Sequence, residues 1–439
     1  MADQTVTPPN SANVESSVTT CCLTPSSYIA VKESLVKEVL RLDKGDGARL
    51  LSWTVEDVSD KGSGYISDIT SVRVKYSKST GNHEVTYIVK LKKKREDGIA
   101  TDMDNITFNK EGYLFTEFLP LMNAELTSAG LTPLQSARCY LPRWEEGENQ
   151  IFLEDLRSRG FKVPDRTKPM DMPHATLVLQ ELAKLHAASH LLQERTPELD
   201  LAEKFKFLTW EWYNYTENSR KNFHILITGS LTVTSGLAKA AGYENASKWF
   251  EETAQRATSV VEEQLASNRR FDAVCHGDCC VQNLMFRYND EGEPVEVMLL
   301  DFQVCRKSSL ATDLVYFILT SLDEPERTAN LDELLLTYHN AFKAVVEAGG
   351  VAMPYTPNEI KQEYHKKSVF GVMMASILIP LLVGQTQEIP DFDSATGGRS
   401  GEYVKQLQQH YAKMLEDNPL LRPRLGNLFE AMSRFGIID

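Results

Sequence analysis

Apolar residues first recur at helical spacing at Tyr28, Val31, Leu35, Val39 and Leu42, between a capping Ser26 and the break at Asp43-Lys44-Gly45. The next stretch changes period. Residues 52–58, 66–76 and 84–92 alternate apolar and polar side chains and favour β-branched types, which predicts an antiparallel meander. Turn sequences separate the strands: Lys61-Gly62-Ser63-Gly64 and Ser79-Thr80-Gly81-Asn82. A helix over 109–122 then carries Tyr113, Leu114, Phe118 and Leu121 toward a core, and two short strands follow at 137–144 and 150–154. From Pro173 helical periodicity takes over, with Val178, Leu182, Leu185, Ser189 and Leu192 on one face. Further helices are expected at about 204–226, 244–268, 310–321, 329–348, 358–382 and 402–416. Only 273–305 interrupts them, with a loop and two apolar strands over 283–288 and 295–300.

This order predicts an α+β protein of two lobes. Residues 1–25 hold almost no large apolar side chains and read as a disordered tail. Residues 26–156 form a small β-rich N-terminal lobe, and 157–439 a larger helical C-terminal lobe. The uncharged run 368–387 is interrupted by Ser376, Pro380 and Gln385, and its strongly apolar part is too short to span a bilayer, so it reads as a core helix.

Composition narrows the partners. Lys plus Arg number 47 against 61 Asp plus Glu, a net charge of −14, which argues against nucleic acid. A phosphate-handling site in such a chain must gather positive charge locally or take it from a metal ion. Seven cysteines without regular spacing do not make a disulfide framework, and the first 24 residues lack the basic and apolar regions of a secretory signal. A cytoplasmic protein is expected.

The chemistry concentrates at His276-Gly277-Asp278-Cys279-Cys280-Val281-Gln282-Asn283 and, after a strand, Asp301-Phe302-Gln303. Phosphoryl transfer needs a carboxylate near the attacking hydroxyl and oxygen ligands for magnesium on the nucleotide phosphates. Asp278 and Asn283 supply a base and one metal ligand from a single loop, and Asp301 supplies the other. Lys90 lies inside the apolar strand Tyr87-Ile88-Val89-Lys90-Leu91, and Glu111 follows on the next helix. A phosphate-binding lysine held by a helix glutamate fits both; the alternative is an edge-strand lysine snorkelling to water. Gly62, Gly64 and Ser67, in a G-x-G-x-x-S run, form either a plain hairpin turn or a backbone cover for phosphates.

These motifs, with Asp313-Leu314-Val315-Tyr316-Phe317 and Leu153-Glu154-Asp155-Leu156, resemble the ecdysteroid kinase-like (CHK kinase-like) family, relatives of the choline and aminoglycoside kinases. The resemblance runs from about residue 30 to 435. It implies a bilobal protein-kinase-like fold that binds ATP and Mg2+ and phosphorylates a hydroxyl of a small molecule, an ecdysteroid or another hydroxylated metabolite or xenobiotic. By it Asp278 is the base, Asn283 and Asp301 hold magnesium, Lys90 and Glu111 position ATP, and Glu154 to Leu156 meet the adenine. Asp313 pins the catalytic loop. The family's loop usually continues after the aspartate with Leu-Trp, where this chain has Cys279-Cys280. The alternatives are a choline- or aminoglycoside-type kinase and a ligand-binding pseudokinase.

Other residues are expected to be structural. His276 braces the loop, and His186 is a core histidine. The aromatic run Phe205, Phe207, Trp210, Trp212, Tyr213 and Tyr215 is core or a substrate wall. Cys279 and Cys280, beside the base, are expected to include an accessible, alkylatable thiol.

Overall fold

The structure, a computed structural model, describes residues 31–58, 67–92, 99–144, 149–384, 390 and 400–439. The expected tail and the Gly62 and Gly64 turn lie outside the described residues. Ser67 opens the second strand, opposite Lys92.

The meander forms as its alternation predicts. Strands β1 (Arg49–Asp57), β2 (Ser67–Lys78), β3 (Gly81–Lys92), β4 (Cys139–Arg143) and β5 (Gln150–Glu154) make one antiparallel sheet in the order β1-β2-β3-β5-β4. Helix α1 (Glu33–Lys44) packs on β1 and β4 and ends at Gly45, whose φ of 85° suits a residue without a Cβ. Its N-cap is Lys32 rather than Ser26, and Leu42 is 40% exposed, because the buried face runs through Leu35, Val36, Val39 and Leu40. These four join Val72, Tyr87, Val89 and Phe152 in a small core on one face of the sheet. Period-2 alternation therefore turns Ile88 and Lys90 to the other face.

Lys90 is not on an edge. Strand β3 lies between β2 and β5, with Lys90 opposite Ile69 and Ile151. The snorkelling alternative fails on this register.

The helix expected at 109–122 is longer. Helix α2 (Ile99–Tyr113) runs through a π-helical turn, Leu114–Phe118, into α3 (Leu119–Ser128). Leu114, Phe115 and Phe118 sink into the large core shared with the helical lobe, whereas Leu121 is exposed.

In the helical lobe, α4 (Met172–Arg195) is followed by a single turn, Leu201–Lys204, and a 3-10 turn, Lys206–Thr209. The helix expected over 204–226 begins only at Glu217 as α5 (Glu217–Ala241), where Thr216 and Ser219 form a capping box. The aromatic residues before it point in several directions to find burial, which a single helical stripe cannot provide. The helix expected over 244–268 is two, α6 (Glu244–Ala254) and α7 (Ala257–Leu265). Helices α8 (Ala311–Ser321), α9 (Glu326–Ala348), α10 (Pro357–Val383) and α11 (Ser400–Asp417) match expectation. An unexpected α12 (Leu421–Arg434) follows, its periodicity masked by Pro423 and Gly426.

Helix α10 is the one described helix long and apolar enough to cross a membrane, yet 67% of its apolar window is buried inside the protein. It lies so close to α8 that a Cβ at Gly371 would stand 2.8 Å from Val315 Cβ. Its apolar surface is core surface.

Candidate active site

Two small antiparallel pairs hold the loops that carry the chemistry. Strand β6 (Asp272–Cys275) pairs with β9 (Arg306–Ser309), and β7 (Leu284–Tyr288) with β8 (Pro294–Leu299). The four-residue pair β6–β9 was too short to read from alternation. The chain from Cys275 to Leu284 and the chain from Leu299 to Arg306 thus run side by side, and Leu300 N donates to Asn283 O at 2.9 Å.

The first loop turns at Gly277, with φ 85°. A Cβ there would lie 2.4 Å from Val304 O, so the position admits only glycine without movement of the second loop. Asp313, at the start of α8, accepts from the backbone N–H of His276 at 2.6 Å and of Gly277 at 2.9 Å, and from His186 Nε2 at 3.0 Å. Burial pushes its carboxyl up, but these donors overcome it and hold Asp313 below the usual carboxylate range. His186 Nδ1 bonds Tyr338 Oη at 2.8 Å. His276 Nε2 donates to Leu300 O at 2.8 Å, and its Nδ1 accepts from Asp278 N at 3.3 Å. His276 thus braces the loops, as expected, and His186 is a fully buried core histidine with both ring nitrogens bonded, as expected.

Asp278 emerges from this frame with its carboxylate accepting from Tyr316 Oη and, at 2.8 Å, from Asn283 Nδ2. Burial holds its carboxyl up at about 6; Asp301 adds to that, and the Tyr316 and Asn283 hydrogen bonds oppose it. Asn283 spends its amide N–H on Asp278, which leaves Oδ1 to act as a ligand. Asp301 stands in the left-handed region, φ 66°, a conformation that costs about 1–2 kcal/mol and marks a position held by its surroundings. Gln303 Nε2 donates to its Oδ2 at 3.0 Å.

From the sheet, Lys90 Nζ donates to both Glu111 oxygens at 2.7 and 2.8 Å and to Asp301 Oδ1 at 2.6 Å. The Lys90 and Glu111 side chains are 8% and 2% exposed. Burial pulls the ammonium down, but Asp301 and Glu111 overcome it and keep Lys90 protonated. Burial pushes Glu111 up and Lys90 pulls it down; with both oxygens on one ammonium, the geometry holds the carboxylate.

Lys90, Glu111, Asp278, Asn283 and Asp301 line one cleft of about 550 Å3, within the range of small-ligand sites. Glu154 and Leu156 lie on its wall where the chain leaves β5. Glu154 N donates to Arg138 O at 2.8 Å, and the cap residue Asp155 starts a 3-10 turn, Leu156–Arg159. Ile69, Ile88, Ala137, Leu153 and Met285 supply an apolar lining suited to a flat ring. Five carboxylates line the cleft, Glu111, Glu154, Asp155, Asp278 and Asp301, against Lys90, Arg157 and Arg166, so a polyphosphate needs a further cation to enter. An amide oxygen and a carboxylate are hard ligands that fit Mg2+.

Tyr316 and Gln303 had no role in the sequence reading. The first was legible in principle, three residues after Asp313 on one helix face.

The thiol expectation is overturned. Cys279 and Cys280 are 0% and 2% exposed, and burial pushes both thiols well above their ordinary value. The cluster of His186, Cys275 and Asp313, whose ligand atoms lie within 4.8 Å of one another, has its imidazole and carboxylate atoms committed to the bonds above and is structural. The aromatic run is core: Phe205, Phe207 and Tyr213 are buried, and none of its residues lines the cleft, though Tyr215 is exposed.

Among solved structures, an ethanolamine kinase from Plasmodium vivax aligns at 11% identity over 89% of this chain and 90% of its own, with a TM-score of 0.37. A choline kinase from Streptococcus pneumoniae aligns at 14% identity over 88% and 98%, with a TM-score of 0.35. A microcompartment-associated aminopropanol kinase aligns at 12% identity over 88% and 99%, with a TM-score of 0.39. No curated protein matches the sequence significantly. The sequence model of the ecdysteroid kinase-like family matches residues 61–350, more than half of the 439 residues and both lobes of the cleft. The chain therefore belongs to the ecdysteroid kinase-like family.

Proposed function

We propose that the protein is an ATP- and Mg2+-dependent kinase that phosphorylates a hydroxyl group of a small molecule, an ecdysteroid-like or other hydroxylated metabolite or xenobiotic. One observation carries the reading: Lys90, Glu111, Asp278, Asn283 and Asp301, from separate elements of both lobes, converge on a single cleft. A pseudokinase usually lacks one of them.

In this reading Lys90, oriented by Glu111, binds the nucleotide phosphates. Asn283 Oδ1 and Asp301 would hold magnesium, which would supply charge neutralisation for the phosphates. Asp278 accepts the proton of the acceptor hydroxyl as its oxygen attacks the γ-phosphorus and the bond to the β-phosphate oxygen breaks, releasing ADP. A carboxyl raised by burial is a competent proton acceptor near neutrality. Tyr316 and Asn283 orient it.

The rest of the cleft wall favours a neutral acceptor over an amino alcohol. Val163, Pro164, Leu378 and Leu381 are apolar, Arg157 and Arg166 are cationic, Asp155 and Glu154 are already paired with Arg157 and Arg159, and Phe115 is the one aromatic residue among the described lining. An ammonium substrate calls for aromatic faces or carboxylates instead. A cytoplasmic setting agrees with the five described cysteines, all free thiols.

Incubating purified protein with labelled ATP, Mg2+ and a panel of steroids, plant metabolites and amino alcohols tests the reading. Phosphorylation of a neutral hydroxylated compound is expected. Selective phosphorylation of amino alcohols overturns the substrate class, and transfer to no acceptor overturns the kinase assignment.

A further inference from the structure

Between α4 and α5 the chain packs against two elements that flank the site residues. Its residues 200–213 touch both the helix that carries Glu111 and the strand that follows Asp301. On the first side, Lys110 Nζ donates to Trp210 O at 2.6 Å and stands 3.9 Å from Glu211 Oε1. Tyr113 stacks on Phe207 at 6.0 Å and meets Trp210 edge-on at 5.7 Å, while Phe118 meets Phe205 at 5.0 Å. On the second side, Arg306 Nε donates to the same Glu211 Oε1 at 2.9 Å, and Lys307 Nζ pairs with Asp200 at 2.6 Å. Arg306 in turn lies beside Gly277: a Cβ there would stand 3.1 Å from its Nη1.

Lys110, Glu211 and Arg306 have side chains 2%, 12% and 7% exposed. Two shielded cations thus share one carboxylate. Burial pulls Arg306 down, and Glu211, with Tyr213, carries it back above its ordinary value, so the guanidinium stays charged. Burial holds Lys110 below its ordinary value, with Glu211 opposing. The second Glu211 oxygen has no hydrogen-bond partner among the described residues. An arrangement of this kind is a weak source of net stability but a strong geometric constraint, because removing the shared anion leaves two cations to repel each other in low dielectric.

We infer that Glu211 is a positioning residue: through Lys110 and Arg306 it sets the placement of the Glu111 helix relative to the catalytic loop of Asp278. Lys110 is the neighbour of Glu111, and Arg306 backs Gly277, the neighbour of Asp278. A shift of one side of this tie therefore moves the phosphate-binding pair against the base. The inference rests on the kinase reading for its consequence, but the tie itself is independent of it.

Glu211→Gln in the full-length protein keeps the side-chain volume and one acceptor oxygen while removing the charge. With the best acceptor from the panel, kcat is expected to fall about ten-fold or more while KM for ATP stays within about three-fold, since misplacement acts on the reacting geometry. Amide hydrogen exchange is expected to quicken in both 106–118 and 276–283. Faster exchange confined to 205–216, or a kcat within about two-fold of the unaltered protein, overturns the inference. If Glu211→Gln does not fold, Lys110→Met, which frees the other end of the tie and keeps an apolar stem, decides by the same two measurements. Should the unaltered protein phosphorylate nothing, the kinase reading falls, and the exchange pattern alone still decides whether Glu211 joins the two segments.

Discussion

Lys90 and Asp301, 211 residues apart in the chain, form a 2.6 Å ion pair across the cleft, and Glu111 binds the same ammonium from the far side. One cation therefore links the sheet, the helix beside it and the second loop of the helical lobe. In the proposed reaction, phosphates entering the cleft would compete with Asp301 for Lys90, and magnesium would compete with Lys90 for Asp301. Nucleotide binding would then be an exchange of partners among charges already held in place.

Asp301→Asn tests the metal-binding side of this exchange. The amide keeps the shape and loses the charge, so phosphoryl transfer is expected to fall at least about 100-fold while the protein stays folded. Circular dichroism and a transfer assay on one preparation check both halves. Near-normal turnover in folded protein sinks the ligand assignment.

Lys90→Met leaves Glu111 buried without its cation, and breaking such a pair costs about 3–5 kcal/mol. Burial already pushes Glu111 up, and without Lys90 it rises further. A carboxyl raised in the folded state above its unfolded value folds best protonated, so the loss of stability in Lys90→Met is expected to deepen as pH rises through the unfolded carboxylate range. Adding Glu111→Gln is expected to restore stability and not activity. A double variant no more stable than Lys90→Met contradicts the buried-pair account.

Asp313 carries the opposite pH dependence. Its folded pKa lies below the ordinary value, so its contribution is present above the unfolded pKa of about 3.9 and is lost as pH falls through the lower folded value. The stability gap between the natural protein and Asp313→Asn is expected to be widest above about pH 5 and to close on acidification. Denaturant titrations across that range measure it, and a gap that does not change with pH rules out the mechanism.

Neither Cys279 nor Cys280 is expected to react with a mild alkylating agent in the native protein, because both are buried and held as thiols. Both should label after unfolding. Mass spectrometry after brief treatment reads the outcome, and rapid native labelling of either would mean that the loop opens in solution.

Local patterns determined much of this protein. Strand alternation around Lys90 specified which face of β3 the ammonium would occupy, since side chains in a strand alternate whatever lies beyond. The spacing of Asp278, Asn283 and Asp301 around one hairpin announced paired loops, and the periodicity of α8 to α11 was strong enough to read directly. Tertiary structure decided what local pattern could not hold. Whether Lys90 sat at an edge depended on β5, which reaches β3 from about sixty residues downstream. Strands β6 and β9, four residues each, exist only because they find one another. The burial of Cys279 and Cys280 came from packing in the large core. The run from Phe205 to Tyr213 carried a helix-like density of aromatics, yet its rings settle against Tyr113 and Phe118 rather than along one helical face. Glu211, inside that run, gave no signal, because its partners Lys110 and Arg306 lie about a hundred residues away on either side. Sequence periodicity records which side chains must leave water; it does not record which distant charge will meet them there.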